Sequence, residues 1–232
     1  MNHQKKKLMT LCAAAVGCAG LAFLNAEAHA GVISFSDLPT GTNSVSIGGL
    51  ASGNITANVV SFDANFQPKT VAGVTAVGVQ GGSVNGEIDG SQYIEFNFSA
   101  PVFVDSISIA HLYTAGNFGD VWNETALFST DIGDFTLEAT GATSGAWTGG
   151  GTLVNDSPAV EKNGGAWSVI GGDIFDGAIT SIRLQSGNAG NHSKYGDFGF
   201  VGMEVSAIPG PGALALFAGA MLAGFKRRRS GQ

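Results

Sequence analysis

The stretch "SQYIEFNFSAPVFVDSISIA", residues 91–110, decides the fold class that this sequence predicts. Its first run alternates Ile94, Phe96 and Phe98 with Tyr93, Glu95 and Asn97. In the second run we expect one face to carry Phe103, Asp105, Ile107 and Ile109, and the other Val104, Ser106, Ser108 and Ala110. Period-two alternation rich in β-branched and aromatic residues is typical of half-buried strands. We therefore predict two strands separated by Pro101, which lacks the N–H that a strand ladder needs.

Similar segments recur on both sides of this stretch, separated by turn-forming sequences such as "GTNS" and "QGGSVNGEIDG". The predicted strands are 32–38, 55–62, 71–79, 125–130, 134–140, 151–156, 166–171, 179–186 and 197–205. Many short strands with Gly-rich turns predict an all-β protein. We expect an antiparallel β-sandwich or jelly-roll-like body over residues 31–207, without a long helix. The order around "FNFSAPVFVDSISI" resembles galactose-binding-like and concanavalin-like jelly rolls.

The charge of this body excludes one class of function. Residues 31–207 carry four of the basic residues and 17 of the 18 acidic ones, a net charge of −13. Nucleic-acid binding proteins need clustered Lys and Arg to neutralise phosphates. We therefore expect no nucleic-acid partner.

The N-terminal 30 residues have the pattern of a secretory signal. Lys5–Lys7 precede an apolar stretch, 8–24, that we expect to be helical, and Ala28-His29-Ala30 fits a signal peptidase site. A retained membrane helix is the alternative. Both cysteines, Cys12 and Cys18, lie within this segment, so cleavage after Ala30 leaves a chain without disulfides or a cysteine nucleophile.

The C-terminal stretch "IPGPGALALFAGAMLAGFKRRR", residues 208–229, has no acidic residue and ends in Lys226, Arg227, Arg228 and Arg229. As a helix, 212–225 spans about 21 Å, short of a bilayer core of about 30 Å. Snorkelling cations and bilayer thinning reduce that mismatch. We predict a short transmembrane helix whose basic end stays in the cytoplasm. A buried helix of the domain is the alternative, although the stretch has no polar stripe.

This arrangement resembles the PEP-CTERM proteins of Gram-negative bacteria, with Pro209-Gly210-Pro211 in place of Pro-Glu-Pro. The resemblance implies that residues 208–229 are a sorting signal cleaved by an exosortase, an integral-membrane enzyme. It also implies an exported protein: a precursor tethered to the inner membrane, then a product at the cell surface or in the extracellular matrix. The body domains of this family vary, so the resemblance leaves the activity of the body open.

The loop "HLYTAGNFGDVWNETA", 111–126, is the predicted ligand-binding segment of the body. An aromatic ring can cover the apolar face of a sugar while amides and carboxylates pair with its hydroxyls. The candidate residues are Tyr113, Asn117, Asp120, Trp122, Asn123 and Glu124. The alternative is that Tyr113 and Trp122 close one end of the core.

Other chemistry has weaker support in the sequence. Asp197 and the amides of 186–199 suit a structural Ca²⁺ site, but no EF-hand spacing occurs. We expect no other cofactor and no catalytic zinc, since the body has two histidines without zinc-site spacing. Three hypotheses follow. The first is a non-enzymatic surface or matrix protein, the second a carbohydrate-binding module for exopolysaccharide, and the third a polysaccharide hydrolase.

Overall fold

The computed structural model describes residues 30–160, 162–187 and 196–208. These ranges are all-β, with one four-residue helix, α1, at Leu50–Gly53 and a 3-10 turn at Phe35–Asp37. The strands are β1 Gly31–Ser34, β2 Ser44–Gly49, β3 Ile55–Phe62, β4 Phe66–Val71, β5 Val74–Val79, β6 Tyr93–Ala110, β7 Thr125–Thr130, β8 Gly133–Ala139, β9 Gly145–Trp147, β10 Thr152–Asn155, β11 Trp167–Ile170, β12 Ile179–Ser186 and β13 Gly199–Ala207.

All strands join one antiparallel hydrogen-bonded network, and β6 is its hub. The first half of β6 pairs with β3 on one side and β12 on the other. Its second half pairs with β13 and β11. Beyond these neighbours, β12 leads through β7 and β8 to β9, and β13 leads through β5 to β4. We call the strands on the first half (β2, β3, β12, β7, β8 and β9) the first arm, and those on the second half (β1, β4, β5, β13, β11 and β10) the second arm.

The prediction that Pro101 separates two strands is wrong, because β6 runs through it without a break in the strand. The partner pairs on β12 change from Asn97–Ser181 to Val102–Ile179, so the stretch around Pro101 lies opposite Thr180 alone. The N–H of Thr180 bonds instead to the Asp131 side chain, at 3.0 and 3.1 Å. An exposed, irregular stretch without regular pairing tolerates the missing proline N–H.

The face assignment of the second run is also wrong in part. Val104 is fully buried with Ile107 and Ile109, whereas Asp105 is only half-buried. The register with β13 shifts here, from Glu204–Ser106 to Val205–Val104, which leaves Asp105 as a bulge. The Asp105 carbonyl accepts the N–H groups of the following turn, Gly171 and Gly172, both at 3.1 Å. A bulge adds one residue and so reverses the side-chain alternation beyond it.

Every other predicted strand is present at least in part, with β3, β7 and β12 at the predicted bounds. The strand predicted at 32–38 ends at Ser34, because Phe35–Asp37 forms the 3-10 turn. Three strands were not predicted: β2, β4 and β9. β4 contains Pro68, and it lies at the end of its path through the network, where a proline costs least. β2 contains two Ser and two Gly, a composition typical of turns, and β9 has only three residues, too few to show alternation.

A single apolar core takes residues from both arms of the network. Phe96 of β6 lies 5.0 Å from Phe200 of β13 between ring centroids. Phe128 of β7 lies 5.4 Å from Trp147 of β9 and 6.4 Å from Phe198, which precedes β13. These rings are at the distances of favourable aromatic pairs. The two arms are therefore held together by side-chain packing as well as by β6.

The two ends of the described body lie side by side. β1 pairs antiparallel with β13, from Gly31–Val205 to Ser34–Gly202. The described residues contain no helix of the length and hydropathy needed to cross a membrane. The predicted signal helix, with Ala28 of its cleavage site, and the whole predicted sorting segment beyond Ile208 lie outside the described residues.

Candidate functional site

The loop between β6 and β7, residues 111–124, is fastened to the body at its base. Leu112 N–H donates to the carbonyl of Gly165 at 3.1 Å, and Glu124 N–H donates to that of Tyr113 at 2.9 Å. Tyr113 N–H in turn donates to the Glu124 carboxyl group. The indole of Trp167 donates to the Leu112 carbonyl at 3.0 Å. The two ends of the loop therefore have a fixed spacing, set by backbone bonds.

The amides that the sequence offers for sugar hydroxyls hold the loop itself. Asn123 Oδ1 accepts from Thr114 Oγ1 at 3.0 Å and from Ala115 N–H at 3.1 Å, and its Nδ2 donates to Glu138 Oε1 at 2.8 Å. Asn117 Nδ2 donates to the Thr114 carbonyl at 3.2 Å. These groups shape the loop tip, because their hydrogen-bonding atoms are largely occupied within it.

The aromatic residues of the loop divide into a buried anchor and an exposed tip. Tyr113 is 7% exposed, and its hydroxyl donates to the Asn163 carbonyl at 3.1 Å. Trp122 and Phe118 are 49% and 55% exposed. The Phe118 ring lies 4.8 Å from Tyr113 on one side and 5.1 Å from the Lys162 ammonium on the other. Tyr113 thus helps to close the core, while Trp122 presents surface to solvent.

A buried carboxyl group lies beneath this loop. Glu124 is 2% exposed, and burial, followed by the charges of Asp197 and Asp120, raises the pKa of its carboxyl to about 11. The hydrogen bond from Tyr113 N–H acts in the opposite direction without offsetting them. A carboxyl in an apolar site next to other carboxyls keeps its proton at neutral pH. Glu124 is therefore a neutral side chain in the folded protein.

Asp197 and Glu87 form the second part of this cluster. Burial raises the pKa of Asp197 to about 8, and the neighbouring Glu87 adds to the shift. Among the described residues, Asp197 Oδ1 has no hydrogen-bond partner. Glu87, only 4% exposed, accepts from Lys69 Nζ at 2.7 Å. Burial acts to raise the pKa of Glu87, but His111 and Lys69 more than offset it and leave the pKa below its usual value.

His111 lies between the cluster and β5. Its Nε2 is 3.3 Å from the Val74 carbonyl, and its Nδ1 is 3.2 Å from Glu87 Oε1. The second contact lacks hydrogen-bond alignment. His111 also has a left-handed backbone, with φ of 67°. That turn directs the chain out of β6 into the loop.

The structure brings some predicted site residues together and separates others. Glu124, Asp120 and Asp197 lie close enough for their charges to interact, although Asp197 is 73 residues from Glu124. Within the described residues, no group of three or more His, Cys, Asp or Glu side chains has the geometry of a metal site. Ala30 is described and exposed, whereas Pro209-Gly210-Pro211 and Lys226–Arg229 lie outside the described residues.

Sequence reasoning missed Glu87 as a member of this cluster. Glu87 occurs in the Gly-rich stretch "QGGSVNGEIDG", which has turn composition. Ile88 is fully buried there and pairs with Phe198, next to Asp197. A single apolar residue between two acids, as in Glu87-Ile88-Asp89, was the one local signal of a strand-like bridge.

Comparison of the chain with protein-family models, curated proteins and solved structures gave no match. The possible functions of this loop are therefore inferred from its geometry alone. The carboxyl groups of Glu87, Glu124 and Asp197 are buried and serve the base of the loop. The groups that face solvent are at the tip, around Phe118 and Trp122. Such a loop offers an apolar contact surface on a rigid support.

Proposed function

We propose that this chain is an exported, non-enzymatic surface or matrix protein, sorted through the tail at 208–229 and cleaved there by an exosortase. The observation that carries the proposal is the sequence Pro209-Gly210-Pro211 followed by an apolar stretch and four consecutive cations. The precursor is tethered to the inner membrane by this tail. The acidic body, with its net charge of −13, lies on the outer side.

The way the chain enters and leaves the body supports this arrangement. Gly31 is the first residue of β1, so signal peptidase cleavage after the exposed Ala30 leaves the strand whole. The pairing of Gly31 with Val205 places the start of the body next to its end. A signal and a tail that join the body at the same place can both reach one membrane without disturbing the sheet.

The body in this proposal is a β-sandwich of jelly-roll type. Supporting it, the two halves of β6 have different partners, and the two arms contribute to one core. Facing sheets with a shared apolar interior are the usual result when a strand passes from one sheet to another at a bulge or bend. The bulge at Asp105 and the irregular stretch at Pro101 are two such points.

Mass spectrometry of the protein taken from the cell surface tests the sorting proposal. We expect an N-terminus at Gly31 and a C-terminus upstream of the basic cluster. The same measurement in a strain without exosortase should recover the tail. Exported material that retains Gln232 in the wild-type strain contradicts the proposal.

Carbohydrate binding by the 111–124 loop is the second candidate function. The half-exposed Trp122 favours it, because an indole on a rigid loop can stack on a sugar ring. The ligand in this proposal is exopolysaccharide. The buried carboxyls of Glu87, Glu124 and Asp197 give no support to the hydrolase hypothesis, since a polymer does not reach them.

A glycan array with the exported protein separates binding from a purely structural role. We expect signals that fall at least tenfold in Trp122→Ala and stay unchanged in Val32→Ala. Val32 is similarly exposed but lies on β1, outside the loop. Flat signals across all sugars with the wild-type protein remove the binding candidate and leave the sorting proposal intact.

A further inference from the structure

A groove of about 300 Å³ opens on the outer face of the first arm, away from the 111–124 loop. Its lining residues are Glu95, Ser129, Thr130, Asp131, Ser181 and Arg183. Three strands build it: Arg183 of β12 is opposite Glu95 of β6 on one side and Ser129 of β7 on the other. The loop enters β7 at Thr125, and the groove lies at the other end of that strand. The two sites are therefore separate.

A flat aromatic surface lies beside the groove. The Arg183 guanidinium lies 4.1 Å from the centroid of the Tyr93 ring. Tyr93 in turn stacks on Phe62 of β3, with centroids 4.9 Å apart and planes 3° from parallel. Phe62 is 48% exposed, although it is a large apolar residue. Tyr93 itself is half-buried, in contact with both Phe62 and Arg183, so the exposed ring is that of Phe62. An exposed ring near hydrogen-bonding groups is suited to the two kinds of surface on a sugar.

Several polar groups in the groove have no partner within the described part of the chain. Arg183 donates to Glu95 Oε2 from Nε at 2.8 Å and from Nη2 at 2.6 Å, which leaves Nη1 unused. Within the described residues, the hydroxyls of Ser129 and Ser181 make no hydrogen bond either. The Asp131 carboxylate, by contrast, is occupied by Thr180 and Ser181. The groove thus offers a guanidinium nitrogen and two hydroxyls from neighbouring strands.

Charge decides which ligand fits. Two carboxylates, Glu95 and Asp131, line the groove with one cation, Arg183, and that cation is already paired. An anionic ligand would meet a net negative surface, and a cationic ligand would meet unused donors. A neutral ligand rich in hydroxyls can accept from Arg183 Nη1 and both donate to and accept from the serines. The volume is at the lower end of the range for ligand pockets, about 300 to 1,000 Å³.

We propose that the groove formed by Glu95, Ser129, Ser181 and Arg183 binds a neutral saccharide unit of a polymer, with the exposed Phe62 ring, next to Tyr93, as the nearby apolar surface. This site is additional to the loop and does not depend on exosortase processing. It gives the body a recognition surface on a regular sheet, where strand pairing fixes the position of each group.

Affinity electrophoresis of the full-length chain in native gels tests the proposal. The probes are two neutral polysaccharides, dextran and galactomannan, and one anionic polysaccharide, alginate. We expect at least one neutral polymer to retard the protein, and alginate to have less effect. Ser181→Tyr fills the groove with a residue that strands favour, and should weaken the apparent affinity at least tenfold. Ser129→Tyr provides a second, independent block from β7.

Ser46→Tyr is the matched control. Ser46 lies in the same cross-strand row, through Asn58 and Asn97 to Ser181, but three strands away, about 14 Å at ordinary strand spacing. We expect its affinity to equal that of the wild type. Thermal melting of each variant checks folding. If one of the two block variants, Ser181→Tyr or Ser129→Tyr, has a lowered melting temperature, the other is used in its place.

Three results overturn the proposal: no retardation by either neutral polymer, a preference for alginate, or wild-type affinity in both block variants. Loss of retardation in Trp122→Ala with normal retardation in the block variants assigns binding to the loop instead. That result rejects the groove and leaves the second candidate function standing.

Discussion

The backbone of Glu87 crosses β5 directly over Gly78, so that a Cβ at position 78 would overlap the Cα of Glu87. Val79 N–H donates to the Glu87 carbonyl at 3.1 Å and locks this crossing. The close approach brings the Glu87 carboxylate to Lys69 and His111. A glycine at this position thus determines where a buried charge is placed.

Gly78→Ala should therefore destabilise the protein. The added methyl would meet backbone atoms of Glu87 and not a side chain that could move away. We therefore expect a loss of about 2 kcal/mol in the free energy of unfolding. Urea unfolding followed by fluorescence measures it. Gly48→Ala is the control: Gly48 is also in a strand, but a Cβ there would meet only Thr56 Oγ1 at 3.9 Å. We expect it to change stability by less than about 1 kcal/mol, with a gain if anything. Equal effects at both positions would contradict the crossing.

The stability of the protein should fall as pH rises above 4.5, and Glu124 should account for part of the fall. The pKa of its carboxyl is about 11 in the folded state against an ordinary value of 4.5, so between these values the folded state holds a proton that the unfolded chain has released. The free energy of unfolding then decreases with pH, by at most about 1.4 kcal/mol per pH unit for one proton. Below pH 4.5 both states are protonated and the effect vanishes.

Glu124→Gln removes this proton and keeps an acceptor for Tyr113 N–H. Melting temperatures from pH 5 to 8 should fall less steeply in the variant than in the wild type, and the variant should be the more stable of the two at pH 8. Glu138→Gln serves as the comparison, since Glu138 lies near the same loop on β8. Parallel melting curves for Glu124→Gln and the wild type would show that the carboxyl is ionised or solvated in the folded protein.

Arg183→Lys should cost little stability. Its pair with Glu95 is half-exposed, and pairs of this kind contribute up to about 1 kcal/mol. Lysine cannot reproduce the two bonds to one carboxylate oxygen or the stacking on Tyr93.

Burial acts to raise the pKa of Glu95, but Asn97 and Arg183 outweigh it and lower the pKa. The contribution is therefore present above pH 4.5 and lost as pH falls through the lowered pKa. Melting at pH 7 and pH 3 measures both; a difference that persists unchanged at pH 3 would argue against the ion pair.

Replacing Arg227–Arg229 with Ser should alter the localisation or processing of the protein without affecting its fold. Under the sorting proposal the positive charges retain the end of the tail in the cytoplasm, and their loss should remove that retention. Cell fractionation with immunoblotting follows localisation and size, and circular dichroism of the purified variant follows the fold. Wild-type localisation and size in the variant would count against the sorting proposal.

The strand pattern was readable from sequence because period-two alternation depends on neighbouring residues alone. β3, β7 and β12 have the predicted bounds. The errors occur where pairing depends on distant segments. The bulge at Asp105 needs the N–H groups of Gly171 and Gly172, and the unbroken β6 needs Asp131 to take the N–H of Thr180. No local pattern at Pro101 or Asp105 reports those partners.

The candidate site was predictable as a loop and not as a set of contacts. Composition indicated that 111–124 is polar and aromatic, yet Tyr113 and Trp122 look equivalent in the sequence, and only packing separates the buried ring from the exposed one. The groove on the first arm was not predicted. Arg183 meets Ser129 and Glu95 there through strand pairing between positions 54 and 88 residues apart.

The sequence by itself determined the all-β class and the order of most strands, because backbone alternation and turn chemistry are local. Its terminal segments likewise suggest export on composition alone. Only the tertiary structure decided which carboxyl groups are buried away from water, which hydroxyls line the same groove, and which aromatic rings face solvent. Those properties arise from burial and cross-strand neighbours, and they require segments distant in the chain to be placed in contact.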